Sequence, residues 1–351
     1  MQAKLNVIRK LLPGFQCSAF ARLALGLAAA LTLSTSQAQT TWQFSTSYPE
    51  DNFHTQNIKT FAAEVDAASK GKLKIEVFPN GTLIKQKEIF EGVKTGKAAG
   101  GEVILSSLSS QNQIYGIDSI PFLLFGYEDA KKLWDLSRPY IVKALDEQGI
   151  KLLFSVPWPP QGIYAAKPIT SVKDLKDSKI RTYNPATQRI AELVAAKGVT
   201  VSSADLPKAL ATKDVDTVLT SAATGLDIKA WESVKYFHPV NAWIPKNAVF
   251  VNKQAFNALP ADLQAQILRL AQAAEARGWK TSEEKNKEFQ TQLVSKGQKI
   301  VEPTAILYSE FRRLGETLTR EWLRTAGQDG LNVLLQYEVD RFRFNSPTTQ
   351  K

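Results

Sequence analysis

Six consecutive residues, Pro157-Trp158-Pro159-Pro160-Gln161-Gly162, constrain this chain more than any others. Proline has no amide proton to donate and its φ is fixed, so this run cannot form a helix or the interior of a sheet. It reads as a crossing between two folding units. Both units show the same rhythm. Before the crossing, residues 41–48, 72–79, 103–105 and 151–156 read as strands. Helical patterns separate them: one carries Phe61, Val65 and Ala68, a short one covers 87–95, and a longer one covers 128–147. After the crossing, Ile180 and Arg181 end a short strand, and Asn184-Pro185 breaks it before an amphipathic helix at 186–194. Strands at 199–201 and 215–220 flank a helix at 206–211. Strands that alternate with helices predict α/β sheets of parallel strands.

A second crossing follows. Residues 248–252 read as a strand returning to the first unit. Residues 260–295 form the longest helical pattern, with Pro260 at its start, Leu263, Ile267, Leu270 and Ala274 on one face, and Gly297 as its stop. At 1.5 Å per residue such a helix is roughly 50 Å long, enough to run across both units. The expected fold is therefore α/β and two-lobed, with hinge crossings and a long helix spanning both lobes. Lobe 1 takes in 39–158 and about 248–280. Lobe 2 takes in 159–247 and about 281–340, and 341–351 form a flexible tail.

Residues 1–38 read as a secretory signal peptide. Lys4, Arg9, Lys10 and Arg22 form a basic lead without acids, residues 23–33 are an apolar core, and Ser36-Gln37-Ala38 is a small-x-small cleavage site. The apolar core has about 11 residues, against the ~20 that span a bilayer. Removing this segment takes the net charge from +10 to +6. The remaining Lys and Arg are scattered, without the dense basic block of a nucleic-acid surface. A mildly positive surface does favour anionic ligands. Cys17 is the sole cysteine and lies in the signal, so the mature chain is expected to have no disulfide, thiol nucleophile or Cys-bound metal. The expected location is the periplasm.

The chain offers little for catalysis or cofactors. His54 and His238 are its two histidines and stand far apart, so no metal site is expected. No Gly-x-Ser-x-Gly elbow, phosphate loop or dinucleotide fingerprint is present, and no cofactor is expected. Ligands of open α/β sheets sit beyond the carboxyl ends of strands, and Arg181, Thr220, Ser221, Ser106 and Ser107 occupy such ends. A guanidinium there can offer a planar fork to a carboxylate. Taken alone, Arg181 reads more readily as a solvated surface charge. Tyr48, His54, Trp158, Gln161, Tyr164 and Trp243 collect at strand ends and crossings. Each alone is a common core residue, but beside an Arg they describe a pocket with apolar walls and a few polar anchors.

The order of several short segments resembles the DctP-type solute-binding proteins of TRAP (tripartite ATP-independent periplasmic) transporters, over about residues 41–335. Phe78-Pro79-Asn80-Gly81-Thr82-Leu83 is similar to the family's P-x-G-x-L segment, and Ile120-Pro121-Phe122-Leu123 to its PFLF segment. Pro168-Ile169-Thr170-Ser171 through Asp174-Leu175-Lys176 to Lys179-Ile180-Arg181 resembles the run that ends in K-I-R. Asn252-Lys253 and Leu259-Pro260-Ala261-Asp262-Leu263-Gln264 resemble the family's N-K and L-P-x-D-L-Q. The resemblance implies a periplasmic-binding-protein-like fold that closes by hinge motion on an organic acid. The family's signature Arg, which pairs with the ligand carboxylate, falls on Arg181. Thr220 stands where the family often has Asn, and Gln161 stands where some members have a second Arg.

The resemblance implies a solute receptor that delivers a small organic acid to TRAP membrane permease subunits, as a monomer and without nucleic acid. Arg181 would bind the carboxylate, Thr220, Gln161, His54, Tyr48 and Ser221 would supply polar contacts, and Trp158 and Trp243 would wall the pocket. One Arg with hydroxyls and aromatic rings suits an aromatic or apolar monocarboxylate. Two alternatives remain: a secreted enzyme with Glu102 or His54 as base, and a sensor that presents its ligand to a receptor.

Overall fold

The computed structural model describes residues 39–345. The expected signal peptide with Cys17 and residues 346–351 of the expected tail lie outside them. Four strands precede the Pro-rich crossing: β1 (Thr40–Ser45), β2 (Leu73–Phe78), β3 (Gly100–Ile104) and β4 (Ile150–Pro157). Then come β5 (Gly162–Ala165), β6 (Lys179–Thr182), β7 (Lys197–Thr200), β8 (Thr217–Thr220), β9 (Tyr236–His238), β10 (Lys246–Asn252) and β11 (Lys299–Ile300). The helices used below are α1 (Phe53–Ser69), α2 (Ile89–Lys94), α3 (Tyr127–Asp146), α4 (Pro185–Leu193), α5 (Leu206–Ala211) and α6 (Ala222–Asp227). They continue with α7 (Lys253–Asn257), α8 (Ala261–Ser295), α9 (Ala305–Leu323) and α10 (Gly327–Asn345).

The strands form two sheets, ordered β2-β1-β3-β10-β4 and β11-β9-β5-β8-β6-β7. The expectation of parallel sheets needs correction at one strand in each. β10 runs antiparallel to β3 and β4, and β5 runs antiparallel to β8 and β9. The physical reason lies in the connections. A parallel neighbour needs a crossover that carries the chain back to the starting end. β5 and β10 instead enter straight from the opposite lobe, so each runs against its neighbours. The two-lobed α/β architecture is as the sequence implies.

The long helix joins the lobes. Leu263, Ile267, Ala271 and Ala274 of α8 pack with Phe61 and Val65 of α1 and with Val156 of β4. Farther along, Leu293 packs with Val234 and Phe237 beside the second sheet. Gly297 stops the helix with φ of +97°, a conformation that glycine adopts without a Cβ penalty. A buried carboxylate anchors α8 to the first lobe: Glu275 accepts from Trp134 Nε1 (3.1 Å), Arg138 Nη1 (2.7 Å) and the Ser155 backbone N–H (2.9 Å).

The last helix differs from expectation. α9 packs against α4 of the second lobe, but α10 lies along α3 of the first, where Tyr337 donates to the Leu123 carbonyl at 3.1 Å. Residues 341–345, expected to be tail, are the end of α10. Among the described residues no helix is long and apolar enough to cross a membrane.

Candidate functional site

A narrow cavity lies where the two lobes meet. From the first lobe come Tyr48, Gln86, Ile104 and Trp158. From the second come Gln161, Arg181, Tyr183, Ser203, Thr220 and Thr224. Most of these follow the carboxyl end of a strand, where backbone geometry opens a crevice in α/β sheets. Gln161 immediately precedes β5, and because β5 is reversed it points its start toward the same end. The reversed strand thus delivers a side chain that a parallel strand would have placed on the far side.

Arg181 is the charge of the site. It is 3% exposed, and β6 holds its backbone between β7 and β8. Its Nε donates to the Val201 carbonyl at 3.0 Å, and its guanidinium carbon lies 4.6 Å from the centre of the Tyr183 ring. Among the described residues no carboxylate pairs with it, and no hydrogen bond engages its two Nη groups. Burial lowers its pKa to about 10, against partial compensation from Tyr183 and Tyr48. Guanidinium remains charged at neutral pH, so a buried cation stands here without its anion. Isolated buried charges are costly.

The aromatic wall rests on a polar layer. Asn247 of β10 accepts from Trp158 Nε1 (2.8 Å) and from the Tyr48 hydroxyl (3.4 Å), and donates through Nδ2 to Glu102 (2.9 Å). Glu102 also accepts from the Thr46 hydroxyl at 2.6 Å and lies 3.1 Å from His54 Nδ1. Burial raises the Tyr48 and Tyr183 hydroxyls above the usual phenol range, so both remain proton donors. Hydrogen bonds that cross the cleft include Asn184 Nδ2 to Ser106 Oγ (2.8 Å), the Ser203 N–H to Gln86 Oε1 (2.9 Å), and Asn52 Nδ2 to Asp227 Oδ2 (2.7 Å).

The structure brings five of the eight expected ligand residues to the cavity: Arg181, Thr220, Gln161, Tyr48 and Trp158. It places the other three behind it. His54 packs 4.2 Å from Trp158, ring centre to ring centre, and turns its Nδ1 to Glu102. Trp243 is 1% exposed and donates its Nε1 to the Tyr183 hydroxyl at 3.1 Å, so it supports the wall rather than forming it. Ser221 caps α6 by accepting from the Thr224 N–H at 3.3 Å. Glu102, considered as a base, is 1% exposed with its oxygens engaged by neighbours. The reading missed Tyr183, although its i, i+2 spacing from Arg181 puts both on one face of an extended chain. Thr224, one helical turn past Thr220, was missed also. Gln86 and Ser203 sit on irregular segments, which carry no periodic signal.

Relatives match this architecture. Residues 44–325 match the DctP family, described as bacterial extracellular solute-binding protein, family 7. DctP6 of Bordetella pertussis, an extracytoplasmic solute receptor binding pyroglutamic acid, is 42% identical; the match covers 85% of this chain and 99% of that one, with a TM-score of 0.83. A marine-metagenome TRAP solute binding protein specific for pyroglutamate is 33% identical over 86% of this chain and 99% of its own, with a TM-score of 0.84. A solute-binding protein of Albidiferax ferrireducens is 26% identical over 226 residues, 62% of this chain and 66% of that protein. The two-lobed fold and the family match agree, and the chain belongs to the DctP family of extracytoplasmic solute-binding proteins.

Proposed function

We propose that this protein is the periplasmic receptor of a TRAP transporter for pyroglutamate or a close cyclic monocarboxylate. The observation that carries the reading is Arg181, a buried guanidinium with free Nη groups and no carboxylate partner among the described residues. A ligand carboxylate would take the bidentate place that no protein side chain fills. The cavity is narrow, which favours a small acid over a bulky one. With one cation, it favours a monocarboxylate over a dicarboxylate. The pyroglutamate-binding relatives at 42% and 33% identity support the lactam ring as its body. This narrows the expected aromatic or apolar acid to a compact ring between Trp158 and Tyr183.

On this reading the chain acts as a monomer, closes on its ligand, and hands it unchanged to the permease. Calorimetry against pyroglutamate, dicarboxylates and sugar acids tests it. Pyroglutamate should bind best, and Arg181→Ala should cost about 2–5 kcal/mol of binding. Equal affinity in wild type and Arg181→Ala would sink the carboxylate role. Recovery of a chemically altered acid after incubation would favour an enzyme instead.

A further inference from the structure

We propose that Gln161 is the specificity residue of the site: its side-chain carbonyl selects rings that carry an N–H next to the carboxylate-bearing carbon. This rests on the pyroglutamate reading above and adds what chooses that ring over its isosteres. Gln161 is 3% exposed and lines the cavity from the crossing that precedes β5. Its amide has one orientation. Nε2 donates to the Pro159 carbonyl at 2.8 Å, and since a carbonyl only accepts, nitrogen rather than oxygen has to stand there. Oε1 then faces the Tyr183 hydroxyl at 3.4 Å. That hydroxyl accepts from Trp243 Nε1 at 3.1 Å, and an indole N–H only donates. The Tyr183 proton is therefore directed away from Trp243, toward Gln161.

The relay runs from donor to acceptor, Trp243 to Tyr183 to Gln161, and ends on a carbonyl oxygen with a lone pair to spare. Such an end calls for a ligand donor. Arg181 lies over the ring of the same Tyr183, so the carboxylate anchor and the amide acceptor are separated by one tyrosine. A small ring acid held by Arg181 presents the atom beside its α-carbon to that region. A lactam offers N–H there. A lactone offers oxygen, whose lone pairs would oppose Oε1, and a carbocycle offers only CH2. The second Nε2 proton of Gln161 can serve the ring carbonyl, which all three rings share and which does not discriminate among them.

Titration calorimetry on the dialysed protein with three five-membered acids decides the matter: pyroglutamate, the lactone with O in place of N–H, and the cyclopentanone with CH2 there. Wild type should bind pyroglutamate at least ~100-fold more tightly than either isostere, because only the lactam N–H fills the lone pair of Oε1 that Tyr183 leaves open, and both isosteres bury it unfilled. Gln161→Met, similar in size but lacking the amide, should reduce that preference to within about five-fold. Its melting temperature reports whether the variant folds, and if it does not, the wild-type ligand series decides alone. Wild-type affinities within about five-fold for lactam and cyclopentanone would overturn the role of Gln161 while leaving the receptor reading standing. An undiminished preference in folded Gln161→Met would do the same. Failure of all three acids to bind would overturn the pyroglutamate reading, and this inference with it.

Discussion

Asn52 in the first lobe donates its side-chain amide to Asp227 in the second across 2.7 Å. The same residue caps α1, accepting the His54 N–H at 2.8 Å through its Oδ1, so one small amide is held from both sides of the cleft. Burial pushes the Asp227 carboxyl up to about 7; the Asn52 hydrogen bond opposes the rise and Asp51 adds to it. The groove around the pair also presents Lys229, Arg277 and Lys285, whose charges favour the ionised form.

Proton uptake on closure is the first prediction. An Asp in an open, solvated cleft ionises near its ordinary value, whereas Asp227 in the closed cleft holds its proton to about pH 7. Between those values the closed form binds more protons, so closure is favoured as pH falls through 7 and loses that advantage as pH rises. Ligand binding at pH 7 should take up a fraction of a proton. The calorimetric enthalpy should then depend on the ionisation enthalpy of the buffer. Asp227→Asn should remove that dependence; an unchanged slope in this variant would assign the proton to another group.

Charge alone should not replace the guanidinium. Arg181→Lys keeps a cation but loses the planar fork and the stacking over Tyr183. Affinity should fall by about 2 kcal/mol, the worth of a hydrogen bond to a charged group, and stay above that of Arg181→Ala. Ranking the three proteins by calorimetry checks the order.

Asn247 should matter for stability and binding together. Replacing it with Leu leaves the Trp158 N–H and the Tyr48 hydroxyl without their acceptor and removes one donor from buried Glu102, whose Oε1 keeps only His54. Each unpaired group costs about 1–3 kcal/mol. The urea midpoint should drop, and ligand affinity should drop with it because both aromatic walls lose their support. A variant with wild-type affinity would show that the rings are held by packing alone.

Gly315 of α9 marks a contact with little room. A Cβ there would stand 2.1 Å from the backbone carbonyl oxygen of Pro121. Backbone cannot yield as a flexible side chain does, so Gly315→Ala should lower stability by about 1–3 kcal/mol. Thermal melting would register the loss. An unchanged melting temperature would mean that α9 slides on this surface at little cost.

The parts of this protein that repeat a period were legible. Alternation and helical spacing located the sheets, α1 and α8 because the buried face recurs at fixed intervals. The place of Arg181 at the cavity was recognisable through its strand end and the family pattern. The directions of β5 and β10 were not, since a strand's local pattern is the same whichever way it runs. Trp243 and His54 were placed one layer too far forward for a related reason. Aromatic residues near a cleft look alike in sequence, whether they touch the ligand or brace a neighbour that does. Gln86 and Ser203 reach the cavity only through tertiary folding of irregular segments.

The order β2-β1-β3-β10-β4 also bears on how the chain comes to be folded. β3 and β4 are consecutive strands but do not pair; β10, some ninety residues later, must slot between them. Until Asn252 has emerged, the first sheet is two fragments with bare edges, while the second sheet can already assemble most of its strands. Pairings of such long sequence separation are slow to form. A chain emerging from its N-terminus therefore stays incomplete in its first half until its second half has been delivered.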